Sequence, residues 1–150
     1  MDLVLRGGCR CDAVRFEIAQ VYDAGYCHCS RCRKWTGAPL FAFVLVPRTA
    51  VTWLSGELQS EPRETLGWQI ICATCRGAVC FDLGDRDLQS FGVGLLDEPA
   101  RIRPTFHQCV NSKLPWVEID DRLPRFDENT VSHPGERLSP IAPENAQELD

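Results

Sequence analysis

Short runs in which hydrophobic and polar positions alternate recur along this chain, each closed by turn-forming residues. They are Leu3 to Arg6, Val14 to Ile18, Phe41 to Val46, Ala50 to Leu54, Trp68 to Ile71, Ala78 to Phe81, Leu88 to Val93, Arg101 to Phe106 and Trp116 to Ile119. A period of two, carried by β-branched and aromatic residues, places successive side chains on opposite faces of a pleated strand. The pattern predicts a mainly β chain. Ten prolines punctuate the chain, all but Pro104 outside the runs, and a proline inside a helix removes a hydrogen bond and clashes with the preceding turn, so little room is left for a long helix. One short helical turn is predicted from Ser30, a residue type that caps helix N-termini, to Gly37, which can close a helix in the left-handed region.

Composition turns this pattern into a domain plan. With 150 residues and 44% hydrophobic content the chain suits one core, here residues 1–126. The segment 127–150 is acidic, contains Pro134, Pro140 and Pro143, and has only scattered apolar residues. It is expected to be extended or disordered, because it buries too little to offset its ordering entropy. The net charge of -5 sits wholly in this tail, since residues 1–126 hold 15 Lys+Arg against 15 Asp+Glu. A neutral core with no basic stripe argues against nucleic acid as a partner. No run approaches a membrane span, and the opening residues lack the apolar stretch of a signal peptide. The expectation is a cytoplasmic protein, whose thiols stay reduced.

Chemistry enters with the cysteines. Seven of nine fall into Cys9-Arg-Cys11, Cys27-His-Cys29-Ser-Arg-Cys32 and Cys72-Ala-Thr-Cys75. In a reducing compartment such spacing favours metal over disulfides, and neighbours spaced Cys-x-Cys are hard to bridge without strain. Cys72-x-x-Cys75 followed by Gly77 has the form of a zinc knuckle, Gly77 being the residue that can take positive φ. Its partner pair is expected to be Cys9 and Cys11, which would staple the N-terminal hairpin to the middle of the sheet. Arg10 and Arg76 stand beside these thiolates, either to compensate their charge or as ordinary surface arginines. Cys27, Cys29 and Cys32 then offer three ligands and a vacancy, the arrangement of a catalytic zinc. Two zinc ions per chain are expected, the second labile. Arg31, Arg33 and Lys34, with Trp35 behind them, could receive the carboxylates of a small anionic thiol, or form a solvated helix face.

The string Gly-Gly-Cys9-x-Cys11-x-Ala-Val-Arg, then Cys27-His-Cys-Ser-x-Cys-Arg-Lys-x-Thr-Gly-Ala38, then Cys72-x-x-Cys75, then His107 and Pro115-Trp116-x-Glu-Ile-x-Asp-x-Leu-Pro-x-Phe126 resembles the glutathione-dependent formaldehyde-activating enzyme (GFA) family over residues 7–126. The resemblance implies a β-tent fold of small antiparallel sheets bridged by zinc. It also implies carbon–sulfur lyase chemistry joining formaldehyde and glutathione as S-hydroxymethylglutathione. In residue terms it implies that Cys9, Cys11, Cys72 and Cys75 hold a structural zinc while Cys27, Cys29 and Cys32 hold the catalytic one. The competing reading is a non-catalytic zinc module that docks a protein partner.

Other candidates are weaker. His28, between two ligands, is expected to face away from their metal. His107 can be a fourth ligand, a proton shuttle or a packed core residue. Cys80 and Cys109 lie in apolar runs and read as small core residues, each able to replace a ligand if the pairing differs. Trp116 and Phe126 are expected in the core, with Glu118, Asp120 and Asp121 mostly at the surface.

Overall fold

A computed structural model describes residues 4–63, 67–128 and 139–142. It is mainly β, with two sheets and one α-helix among the described residues. The smaller sheet joins β1 (Leu5–Gly8), β2 (Arg15–Ile18) and β5 (Val51–Ser55) in the order β1-β2-β5, antiparallel throughout. The larger runs β10-β3-β4-β9-β8-β7-β6, from β3 (Asp23–Cys27), β4 (Phe41–Pro47), β6 (Leu58–Pro62), β7 (Trp68–Cys72), β8 (Ala78–Asp82), β9 (Leu88–Gly92) and β10 (His107–Gln108). Its pairs are antiparallel except one: β10 lies parallel to β3, with Gln108 opposite Cys27.

Strand β4 shows how the pattern becomes packing. Val44 and Val46 join one buried cluster, with Leu5, Phe16 and Ile18 from the small sheet and Phe91 from β9. Phe41, Phe43 and Leu45 join a second cluster with Phe81 and Phe106. Alternating residues of one strand thus feed two cores on opposite faces, so β4 reads as a nearly continuous apolar run. The second cluster includes Cys27 and Cys32, and the first includes Cys9 and Cys72. Each cysteine group is therefore rooted in one of the two cores.

Several expectations change in detail. β3 was not foreseen: it carries an aspartate and a glycine, yet Asp23 is buried and accepts a hydrogen bond from the Thr105 hydroxyl at 2.8 Å. The Gly25 position is pressed by the Phe106 ring, 2.7 Å from where a Cβ would stand. Nor was β6 foreseen, a mostly exposed edge strand without an apolar face. Conversely, the run Arg101 to Phe106 forms no extended ladder, contributing a bridge at Ile102, and Trp116 to Ile119 forms none. Trp116 is 68% exposed rather than in the core. Phe126 is partly buried against the second cluster.

The predicted helical turn is α1 (Ser30–Thr36), capped one residue earlier than expected: Cys29, not Ser30, is the N-cap, and its sulfur accepts the Cys32 N–H at 3.3 Å. Gly37, at φ 73°, closes it as foreseen. Of the tail, residues 127, 128 and 139–142 are described. Ile141 bridges Ile102 and packs against the first core, and the Arg103 N–H donates to the Pro140 carbonyl at 2.9 Å. The expectation for the rest of 127–150 falls outside the described residues. Among the described residues no helix is long and apolar enough to cross a membrane.

Candidate metal centres

The first centre forms where the small sheet meets the large one. Cys9 and Cys11 follow β1; Cys72 ends β7 and Cys75 lies in the turn to β8. Their four sulfurs all lie within 4.8 Å of one another, with Cys9 to Cys11 at 3.5 Å and Cys11 to Cys72 at 3.9 Å. β7 is second from the edge of the large sheet, so the pairing of the two halves follows expectation while the anchoring point is nearer the margin than the middle.

Backbone amides are turned onto the sulfurs. Val14 N–H donates to Cys9 at 3.3 Å, Thr74 and Cys75 N–H to Cys72 at 3.3 and 3.4 Å, and Gly77 N–H to Cys75 at 3.4 Å. Such donors favour thiolate over thiol: the Cys75 thiol is pulled down to about 6, first of all by the Gly77 N–H. The residues forced to positive φ are Asp12 and Arg76, each directly after a cysteine pair, at 62°. Gly77 was expected in that role, but the turn reverses one residue earlier. Arg10 reaches the knuckle by donating to the Cys75 carbonyl at 3.0 Å, whereas Arg76 turns away to Gln59. Four clustered sulfurs with amide donors match the soft, tetrahedral donor set that zinc takes.

The second centre lies at the end of β3 and the start of α1. Cys27, Cys29 and Cys32 bring three sulfurs within 4.8 Å, Cys27 and Cys32 buried and Cys29 half-buried. The helix N-terminus places the Cys32 amide on Cys29, and neighbouring thiols hold Cys29 well below the usual thiol range, Cys109 first among them, then Cys27 and Cys32. Three soft donors this close also suit zinc.

Beside this triple, His28 is fully buried and directs Nε2 at His107 Nδ1, 2.9 Å away; His107 Nε2 in turn meets the Asp121 carboxylate at 2.8 Å. Tyr26 stacks on His107. Burial would raise Asp121, but the bond to His107 holds its carboxyl below the usual range. Asp121, at the surface as expected, thus anchors a chain of rings that ties β10 to β3. His28 Nδ1 is buried with no hydrogen-bond partner among the described residues.

Cys29 opens onto a cavity of about 880 Å³ lined in part by Arg31, Lys34, Trp35, Arg63 and Gln69. Two of the three expected cations line it. The third, Arg33, instead donates to the carbonyls of His28 and Ser112, both at 2.6 Å, pinning the helix to the turn after β10. Arg63 takes its place, its guanidinium 4.3 Å from the Phe81 ring centre.

A family model described as glutathione-dependent formaldehyde-activating enzyme matches residues 4–112. The chain belongs to this GFA family. A curated protein of Halomonas elongata, named "Putative glutathione-dependent formaldehyde-activating enzyme", is 27% identical over 131 residues, which cover 80% of this chain and 83% of that protein. A crystal structure of a Rhodobacter sphaeroides protein superposes with a TM-score of 0.51 at 23% identity, over 61% of this chain and 87% of that one, a likeness of fold.

Within this GFA framework the two cysteines outside the sulfur groups lie in the cores. Cys80 is a core residue, 0% exposed, its thiol pushed up by burial. Cys109 packs, half-buried, against the second core cluster, the one that holds Cys27 and Cys32. Knuckle spacing could not reveal that neighbourhood, because the approach comes from β10 lying beside β3 across some eighty residues of sequence. Arg63 was missed for the same reason, reaching the cavity from the end of β6.

Proposed function

We propose that this GFA-family chain is a zinc-dependent carbon–sulfur lyase whose reaction joins a small anionic thiol, glutathione or a close relative, to formaldehyde. The observation that carries this reading is the Cys27/Cys29/Cys32 triple presenting Cys29 to a cavity lined by Arg31, Lys34 and Arg63. A docking module would need the four-cysteine centre and no such cavity. In this reading Cys9, Cys11, Cys72 and Cys75 hold a structural zinc, and Cys27, Cys29 and Cys32 hold the catalytic one. Zinc bound by three thiolates supplies a site that lowers the pKa of an incoming thiol and favours its thiolate.

The chain's own residues do the rest. Arg31, Lys34 and Arg63 receive the substrate's carboxylates, Arg in particular by paired hydrogen bonds. Trp35 and Phe81, ring centres 3.9 Å apart, form an apolar wall that keeps water from one side of the cavity and strengthens the charged contacts beside it. Held so, the thiol sulfur attacks the formaldehyde carbon, the carbon–oxygen π bond opens, and the thiol proton ends on the new hydroxyl oxygen. Positioning two small reactants in one cavity replaces a bimolecular encounter, which is a large share of what such a reaction needs.

Cys29→Ser tests the division of labour. It should remove one zinc per chain and the thiol–formaldehyde activity while leaving the melting temperature nearly unchanged. Retention of both zinc ions and full activity would end this reading.

A further inference from the structure

His28 and His107 are buried rings that the proposed reaction leaves unused. His28 stands between Cys27 and Cys29, and all but one of its polar groups are fastened. Its N–H donates to the Gln108 carbonyl at 3.1 Å, its carbonyl accepts from Arg33 at 2.6 Å, and its Nε2 meets His107 Nδ1 at 2.9 Å. His107 is held in turn. Its N–H donates to the Pro124 carbonyl and its carbonyl accepts the Phe126 N–H, both at 2.9 Å, while its Nε2 meets Asp121 Oδ2 at 2.8 Å. The Leu123 N–H aims that carboxylate by donating to Oδ1 at 3.0 Å. The direction of the chain follows from its exposed end. A carboxylate only accepts, so the His107 proton is on Nε2; the neutral ring then offers Nδ1 as acceptor, and His28 donates from Nε2. What remains on His28 is a bare Nδ1, buried and without a donor among the described residues.

We propose that Asp121 is a positioning residue for the three-cysteine centre: through His107 it sets the ring and tautomer of His28, and with them the backbone that aims Cys29 into the cavity. This rests on the lyase reading above and deepens it. His28 shares a peptide bond with each of Cys27 and Cys29, so a rotated His28 carries their thiols with it. Cys27 is also held by the second core, whereas Cys29 is half-buried and lines the cavity. The helix fixes Cys29 from one end, where its sulfur accepts the Cys32 N–H at 3.3 Å; His28 fixes it from the other. Asp121 lies outside both the sulfur group and the cavity wall, in a segment that bridges β10 at Arg125, and acts only through the two rings. Such an aim matters because a misplacement of about 1 Å costs about 100-fold in rate.

Asp121→Asn keeps the size of the side chain and reverses the chain of protons. With its carbonyl oxygen kept for the Leu123 N–H, the amide presents an N–H to His107 Nε2; the His107 proton moves to Nδ1, and His28 carries its own on Nδ1, where no acceptor awaits it among the described residues. The test compares parent and Asp121→Asn, loaded with zinc for kinetics and with cobalt for spectra. The variant should keep both zinc ions and a KM for glutathione within about twofold, since the cavity cations are untouched, while kcat falls by about 10-fold or more. The d–d bands of the second cobalt equivalent should shift at constant sulfur-to-cobalt intensity, the mark of changed geometry with unchanged ligands. A kcat and a cobalt spectrum equal to the parent's would overturn the proposal, whatever happens to the melting temperature. If the parent itself joins no thiol to formaldehyde, the lyase reading falls and the cobalt bands decide alone: shifted bands keep Asp121 as the positioning residue of this centre, and unshifted bands overturn it. Should Asp121→Asn not fold, histidine nitrogen-15 NMR of the zinc-loaded parent decides. His28 protonated at Nε2 supports the proposal, and His28 protonated at Nδ1 overturns it.

Discussion

Replacing Cys72 by serine removes one sulfur from the four-cysteine group at the junction of the two sheets, and the structure sets the scale of the expected loss. Cys72 is 0% exposed, ends β7, sits 3.9 Å from Cys11 across the sheet junction, and accepts two backbone N–H groups. Structural zinc contributes about 10–16 kcal/mol to folding in zinc-finger peptides, and losing one of four thiolates forfeits on the order of several kcal/mol of such energy. A domain of this size is stable by about 5–15 kcal/mol in all. At about 2–4 °C per kcal/mol, the melting point should fall by about 10–20 °C, or the protein should become insoluble. Cys80→Ser is the control, because Cys80 is equally buried but lies outside both sulfur groups. Burying its hydroxyl should cost about 1–3 kcal/mol while both zinc ions remain. The assay is thermal melting by circular dichroism together with metal analysis of both variants. If Cys72→Ser kept two zinc ions, or melted no earlier than Cys80→Ser, the four-cysteine staple would be wrong.

Three further outcomes are expected. Arg63→Ala should raise KM for glutathione well above its effect on KM for an uncharged thiol such as 2-mercaptoethanol, with kcat little changed; equal effects on both thiols would take Arg63 out of carboxylate binding. Asp82 accepts from Arg48 at 2.6 and 3.0 Å, from Gln89 at 2.9 Å and from Gly84 N–H at 2.9 Å, and although burial opposes it these bonds, Arg48's first, hold its carboxyl below the usual range. Asp82→Asn should therefore cost about 1–2 kcal/mol at neutral pH, and because the folded-state pKa is the lower one, chemical denaturation should show the gap close as pH falls below about 4. Truncation after Glu128 removes the Ile141 contact with the first core and should lower stability by about 1–2 kcal/mol without changing zinc content, as melting and metal analysis of the shortened chain would show.

Much of this arrangement was legible in the residues, for physical reasons that also explain the gaps. Seven strands declared themselves because alternation or an apolar run marks a strand with one or two buried faces. β3 hid because a glycine relieves a close ring and a buried aspartate finds a hydroxyl, neither of which a hydrophobic pattern can express. β6 hid because an exposed edge needs no apolar face. The two sulfur groups were legible because local turns bring Cys-x-Cys and Cys-x-x-Cys together, and spacing encodes turns. Arg63, and the pairing of His107 with His28, join the site through strand order. Their sequence neighbours carry no mark of it.

The central claim is that the three-cysteine centre and its cationic cavity turn glutathione and formaldehyde into an adduct. Exchange NMR spectroscopy of glutathione mixed with formaldehyde reads the rate of adduct formation directly at equilibrium. The zinc-loaded protein should accelerate exchange between free and S-hydroxymethyl glutathione in proportion to its concentration, and Cys29→Ser at the same concentration should leave the uncatalysed rate. An exchange rate unchanged by the zinc-loaded protein would contradict the account.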